Sequence, residues 1–310
     1  MTEHVLAAEP THSRWNRALP ARLEIDPGDT VHFQCVEAAG GQVRPGMTLE
    51  QLSGIDRGRI HALTGPVFVR GAEPGDVLEI EILNLTHHGW GYSTLISGLG
   101  LLKDRFREQF LFHWELLPDE TRSLAPAVVP LRPFCGVMGV APALDGEFRT
   151  RPPGAFGGNM DVRELCAGAR LYLPVLNPGA LFSCGDGHAA QGDGEVCING
   201  IECPLDVSLR FQVHRGRALS APLIESAPSP KSSNESWIAV ESDEDPLRAA
   251  RNATSRMVDL LMRLWGFTDV HAYILCSVAM HLRLSQVVNE PMITVSAAIA
   301  KNILPERRLF

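Results

Sequence analysis

The chain is expected to be an α+β protein, mainly β. Its body should resemble a β-sandwich or barrel, with a C-terminal pair of helices packed on it and a closing strand. Three observations predict this. Residues 1 to about 225 are rich in Gly, Pro and β-branched residues, with turn signals at short intervals. Within that stretch, Pro-Gly turns lead into alternating runs at 26–37 (DPGDTVHFQCVE), 73–84 (EPGDVLEIEILN) and 177–188 (NPGALFSCGDGH). Sustained helical spacing emerges only later, after a polar, Pro-rich connection or hairpin from Ser220 to Glu244 that includes Lys231-Ser232-Ser233.

Aligning the three prolines brings Val31, Leu78 and Phe182 together, then Phe33, Ile80 and Cys184, then Cys35, Ile82 and Asp186, and finally Glu37, Asn84 and His188. Because strand side chains alternate, each series shares one face. In the first and third copies the apolar face ends in Glu37 and in His188, with Asp186 one pleat earlier. Asp245-Pro246 then supplies an N-cap and a proline at the first helical position. Leu247, Ala250, Thr254, Met257, Leu261, Leu264 and Trp265 recur at helical spacing, and Gly266 supplies the stop. A second helix is expected from Thr268 to about Met280, and PMITVSAAI after Pro291 should close the fold as a strand. Two parts follow: a β-rich body over 1–225 and a closely packed α+β part over 226–310 that is not independent.

Composition excludes several function classes. At 310 residues and 45% hydrophobic content the chain can bury one large core or two adjacent ones. A formal net charge of −8, with basic runs only near the ends, such as Pro305 to Arg308, argues against nucleic acid. No apolar stretch approaches the roughly twenty residues that span a bilayer, and the N-terminal segment lacks a basic-then-apolar secretory pattern. Seven cysteines without a C-x-x-C pair fit a reducing compartment, so a cytoplasmic location is expected. Cys184, Cys197 and Cys203 are read as small buried hydrophobes.

The chemistry concentrates between Leu171 and Glu202, in LYLPVLNPGALFSCGDGHAAQGDGEVCINGIE. Asp186, His188, Gln191, Asp193 and Glu195 stand among Gly185, Gly187, Ala189, Ala190, Gly192 and Gly194. Small neighbours let a backbone fold tightly around an ion or a small substrate. The flanks VLNPGALFSC and VCINGIE read as strands, which places the cluster at strand ends. The run 152–164 (PPGAFGGNMDVRE) adds Asn159 and Asp161, and His61 precedes another strand. His87-His88 with Gly89-Trp90-Gly91-Tyr92 is either a mobile aromatic lid or a solvated loop. No phosphate loop, nucleophile elbow or H-E-x-x-H zinc helix is present. What remains is a set of carboxylates, an imidazole and amides, suited to zinc, manganese, magnesium or calcium.

At these residues the chain resembles the acetamidase/formamidase family. The motifs are WNRALPARLEIDPGDTVHFQCVEAAGGQ, RIHALTGPVFVRGAEPGDVLEIEIL, RPPGAFGGNMDVREL, the GDGHAAQGDGE region and AYILCSVAMHLRLSQVV. The resemblance implies a β-rich fold with a helical C-terminal part, a metal-dependent site and a homo-oligomer, dimer or higher. It also implies hydrolysis of a short carboxamide to a carboxylate and ammonia. By position it points to Asp186, His188, Glu195, Asn159, Asp161, Glu37 and His61. On that basis His188 and Asp186 are expected as ligands of a divalent ion, zinc first. Glu37 or Asp161 completes the shell, and His61 is a further candidate. Glu195 is the expected base, and Gln191 and Asn159 the residues that orient the amide. Trp15-Asn16-Arg17 departs from the family pattern, which leads one to expect an acidic or small polar residue beside Asn, and Arg17 is expected to alter the mouth of the site. Two alternatives stand: hydrolysis of another small C–N substrate, ureido or guanidino, or a non-catalytic β protein with a structural calcium.

Overall fold

Period-two alternation builds two large sheets, beside three two-stranded pairs, in the computed structural model, which describes residues 1–228 and 235–310. The larger sheet has nine strands, in the order Glu3–Leu6, Thr30–Cys35, Leu205–His214, Val77–His87, Arg170–Pro174, Leu223–Glu225, Ser236–Asp243, Ile293–Ala300 and Met280–Gln286. The smaller has five, in the order Gly157–Asn159, Phe134–Gly139, Phe182–His188, Leu63–Val69 and Leu23–Ile25. The architecture is mainly β, with no closed barrel among the described residues. Among the described residues no helix is long and apolar enough to cross a membrane.

Alternation also distributes the core. Val31, Phe33, Cys35, Leu78, Ile80, Ile82, Phe182 and Cys184 all enter one buried cluster between the sheets, as their spacing requires. Phe182 of the small sheet meets Phe33 and Phe211 of the large one edge-on, at ring separations of 6.0 and 5.2 Å. Ile238, Val240 and Ala298 join the same cluster. Their neighbours Trp237, Ala239, Ala297 and Ile299 point to the other face, where the helices lie. The large sheet is therefore apolar on both faces at its C-terminal end. Strands from both ends of the chain are hydrogen-bonded into it.

The long helix Pro246–Trp265 begins and ends as expected: the Asp245 side chain accepts from Leu247 and Arg248 N–H, and Gly266 closes it at φ 72°. The second, Asp269–Ala279, is capped by Thr268. On the long helix, Met257 and Leu261 are buried and Ala250, Leu264 and Trp265 pack against the same cluster, as their spacing requires, but the first turn differs. Ala249, Ala253, Met257, Leu260 and Leu261 of the long helix are buried, whereas Leu247 is 58% exposed. Ala249 and Ala253 widen the buried stripe next to the sheet, and Leu247 in the first turn falls outside it.

Three further expectations are revised. Met280–Gln286, unforeseen, leaves the second helix directly as an edge strand, so Ile293–Ala300 lies one place in from the edge. Val196–Ile201 is a turn rather than a strand, because the Asn199 side chain bonds Thr94 backbone N–H and C=O. Trp90–Leu95 is no lid; it pairs with Phe110–Glu115 and buries Tyr92. Lys231-Ser232-Ser233 lies outside the described residues.

Met257→Ala is expected to cost about 2–4 kcal/mol in urea unfolding, and Leu247→Ala less than about 0.5 kcal/mol. Equal losses would place Leu247 within the buried stripe.

Candidate active site

Strand Phe182–His188 brings the first two groups into place. Asp186 adopts a left-handed φ of 57° near its end, and His188 closes the strand; both are buried. Next to them, Gly187 lets the backbone of Cys203 approach so closely that a Cβ would stand 2.5 Å from its carbonyl oxygen. That contact carries Glu202 to His188, the two residues forming a bridge. Asp161 follows Asn159 out of its strand at φ 50°, and Glu195 is turned inward at φ 47°. Three non-glycine carboxylate residues in this sparsely populated region cost of order 1–3 kcal/mol each, a pattern concentrated at functional sites.

Asp161, Asp186, His188, Glu195 and Glu202 thus meet in the interior, none more than 6% exposed. Asp161, Asp186 and His188 offer ligand atoms within 4.8 Å of one another, as do His188, Glu195 and Glu202. His188 Nε2 is 3.8 Å from Asp186, 3.9 Å from Glu195 and 2.8 Å from Glu202. The last is the shortest contact that the imidazole makes with a carboxylate. Asn159 Oδ1, Asp161 Oδ1, His188 Nε2, Glu195 Oε2 and Glu202 Oε2 are buried with no hydrogen-bond partner among the described residues. Gly136 makes room beside them: a Cβ there would stand 2.4 Å from Asp161 Oδ1 and 2.6 Å from Asp186 Oδ2.

The ring of His188 is fixed from behind. Gln191 donates its amide N–H groups to the carbonyls of Asp161 and Ser285, at 2.9 and 3.3 Å. Its oxygen must therefore face His188 Nδ1, 2.9 Å away, which assigns a proton to that nitrogen and turns Nε2 to the carboxylates. Phe134 meets the imidazole edge-on at 5.1 Å.

Crowding like charges in the interior shifts their protonation. Burial, reinforced by Asp186, pushes Asp161 up to about 7. Burial likewise raises Glu202 to about 8, and it lifts Glu195 well above the usual carboxylate range, with Asp161 and Glu202 adding to the effect. Burial pulls His188 down, but Glu202 and Asp186 overcome it and hold the imidazole at about 10.

The remaining sequence candidates lie outside the grouped ligand atoms. Glu37 accepts from Ala39 and Val43 N–H and from the Tyr92 hydroxyl, so it closes a turn and is not among the grouped ligand atoms. His61 adjoins the cluster, bonded through its N–H to Thr150, without joining it. Gln191, expected to face substrate, is committed at both ends to the protein. Arg17 is at the surface, paired with Asp145. Glu202 was not singled out from the sequence. Its only signal was a carboxylate closing the same Gly-rich stretch.

The match to known proteins covers nearly the whole chain: the model of the Acetamidase/Formamidase family fits residues 2–147 and 143–306. The chain belongs to that family. An acetamidase of Mycolicibacterium smegmatis is 26% identical, over 86% of this chain and 85% of its own. A formamidase of Methylophilus methylotrophus is 28% identical, over 61% and 60%. The crystal structure of an acetamidase from Bacillus halodurans superposes with a TM-score of 0.88 at 31% identity, covering 96% of this chain and 98% of that one. Amide hydrolysis is the reaction class that goes with membership of the acetamidase/formamidase family.

Two outcomes are expected. Gly136→Ala should fold yet lose about 100-fold or more in ammonia release from acetamide; unaltered turnover would remove the cluster from the chemistry. Stripped of divalent ions, the folded chain holds protons on Asp161, Glu202 and His188 that the unfolded chain releases near 3.8, 4.5 and 6.5. Its thermal midpoint should therefore fall as pH rises from about 5 to about 8. A midpoint rising across that window contradicts the shifts.

Proposed function

We propose that the chain hydrolyses a short carboxamide of the formamide or acetamide type at a divalent cation, giving carboxylate and ammonia. The observation that carries this reading is the convergence of buried, unpartnered donor atoms from Asp161, His188, Glu195 and Glu202 in a cradle opened by Gly136. Leaving such atoms without partners is costly unless something else satisfies them. One imidazole and several carboxylates suit a divalent ion, zinc first, with manganese, magnesium or calcium as alternatives.

Asp161, Asp186, His188 and Glu202 would hold the ion. When bound, such a cation polarises an amide carbonyl and makes water a better nucleophile at neutral pH. The chain supplies the rest. The raised Glu195 carboxyl would be returned to its ionised form by the cation beside it; as carboxylate it takes a proton from the attacking water and delivers it to the amide nitrogen as the C–N bond breaks, so that ammonia leaves neutral. Asn159 Oδ1, buried and unpartnered, accepts from the substrate's NH2 group. Gln191 holds His188 and does not touch substrate. A pocket wall discriminates one methylene by only about 1–3 kcal/mol, so formamide and acetamide are both accepted. The names of the similar enzymes support this substrate class.

The same reading includes a cytoplasmic setting, supported by seven free cysteines of which six are buried. It also includes a homo-oligomer, supported by Tyr273, Val278 and Leu282 exposed on the second helix and the edge strand. The part over 226–310 is not independent; strands Ser236–Asp243 and Ile293–Ala300 complete the sheet of the body.

Chelation should abolish ammonia release from formamide and acetamide, and a divalent ion should restore it; full turnover by metal-free protein ends the metal reading. Glu195→Gln should keep the ion and lose about 10²–10⁴-fold in kcat, whereas His188→Ala should lose both. The reverse pattern would exchange their roles. Faster turnover of urea or guanidine than of either amide would reassign the substrate.

A further inference from the structure

From the turn after the edge strand, we propose that Asn289 is the positioning residue for Asp161, so that the C-terminal segment sets the affinity of the site for its cation; this rests on the metal reading above. Asn289 is buried, and its side-chain amide donates to Asp161 Oδ2. The other oxygen, Oδ1, has no partner and is the one facing His188, 3.9 Å from Nδ1. One carboxylate oxygen is thereby held and the other presented. A ligating carboxylate fixed in this way keeps its rotamer when the ion is absent.

The turn is built to deliver that amide. Gln286 is fully buried and donates to Met292 C=O at 3.0 Å and Thr294 Oγ1 at 2.9 Å. Its oxygen consequently points inward and accepts from Val288 and Asn289 N–H at 2.9 and 2.8 Å. A second tie joins the same strand end to the loop bearing Glu195: Gly194 N–H donates to Ser285 C=O, and Val287 N–H to Gly194 C=O, both at 3.1 Å. Gln191, which holds His188, also donates to Ser285 C=O. Three site residues, Asp161, His188 and Glu195, are thus referred to one short C-terminal stretch.

The test titrates zinc into chelator-treated full-length protein by competition with a chromogenic chelator, for wild type, Asn289→Ala and Lys103→Ala. Lys103 pairs with Glu290 at the surface of the same turn and serves as the control for loosening it. Asn289→Ala should weaken zinc binding about 10–100-fold. At saturating zinc its kcat should return to within a few-fold of wild type with KM unchanged, a recovery that general damage to the fold would not give. Lys103→Ala should bind zinc like wild type. Where the alanine variant does not fold, Asn289→Ser, too short to reach Asp161, is held to the same comparison. Wild-type zinc affinity in the Asn289 variant, or equal weakening in Lys103→Ala, overturns the positioning role while leaving the metal reading intact. Absence of zinc binding by wild type overturns both.

Discussion

Four carboxylates gathered around one imidazole, all inside the protein, form the constraint on which the rest of this structure depends. A lone buried carboxylate already resists ionisation, and neighbours of the same sign deepen that resistance. Such a group is tolerated only if the surrounding fold is stable enough to impose it. The two-sheet core, with Phe33, Phe182 and Phe211 locked between the layers, provides that frame. The cluster sits on its small sheet and on the turns leaving it. Left-handed backbone at Asp161, Asp186 and Glu195 shows local conformational preference yielding to the placement of charge.

Order in the cluster comes from groups that are not themselves donors to an ion. Gln191 spends its whole amide on His188 and two carbonyls. Asn289 holds one oxygen of Asp161, and Gln286 holds the turn that carries Asn289. Each leaves a ligand atom uncommitted and aimed inward. Preorganisation of this kind removes the reorganisation that flexible side chains would otherwise undergo when an ion or a substrate arrives. It also ties the C-terminal strands to the cluster as well as to the sheet.

Much of this was legible in the sequence where one residue type admits one physical reading. Asp245-Pro246 and Gly266 bounded the long helix because an N-cap carboxylate, a first-turn proline and a left-handed glycine each have a narrow use. Alternation placed Val31, Phe33, Ile80 and Phe182 in the core. Asp161, Asp186, His188 and Glu195 stand out in the sequence because small residues flank them, and the structure brings the four together. Sequence failed where tertiary contacts decide. Glu202 reaches His188 through a bridge between segments that read as turn and strand end. Glu37, on the face its strand predicts, is drawn away by Ala39, Val43 and Tyr92. The strand Met280–Gln286 was hidden because an apolar helix runs into it without punctuation. Asn289 carried no motif at all.

The central claim is that Asp161, Glu202 and His188 keep protons until a cation displaces them, and counting protons tests it most directly. Zinc would be titrated calorimetrically into chelator-treated protein near pH 7, in buffers of differing ionisation enthalpy. With Asp161 held at about 7, Glu202 at about 8 and His188 at about 10, the account predicts release of more than one proton for each ion bound. Binding without proton release, or no binding, would contradict it.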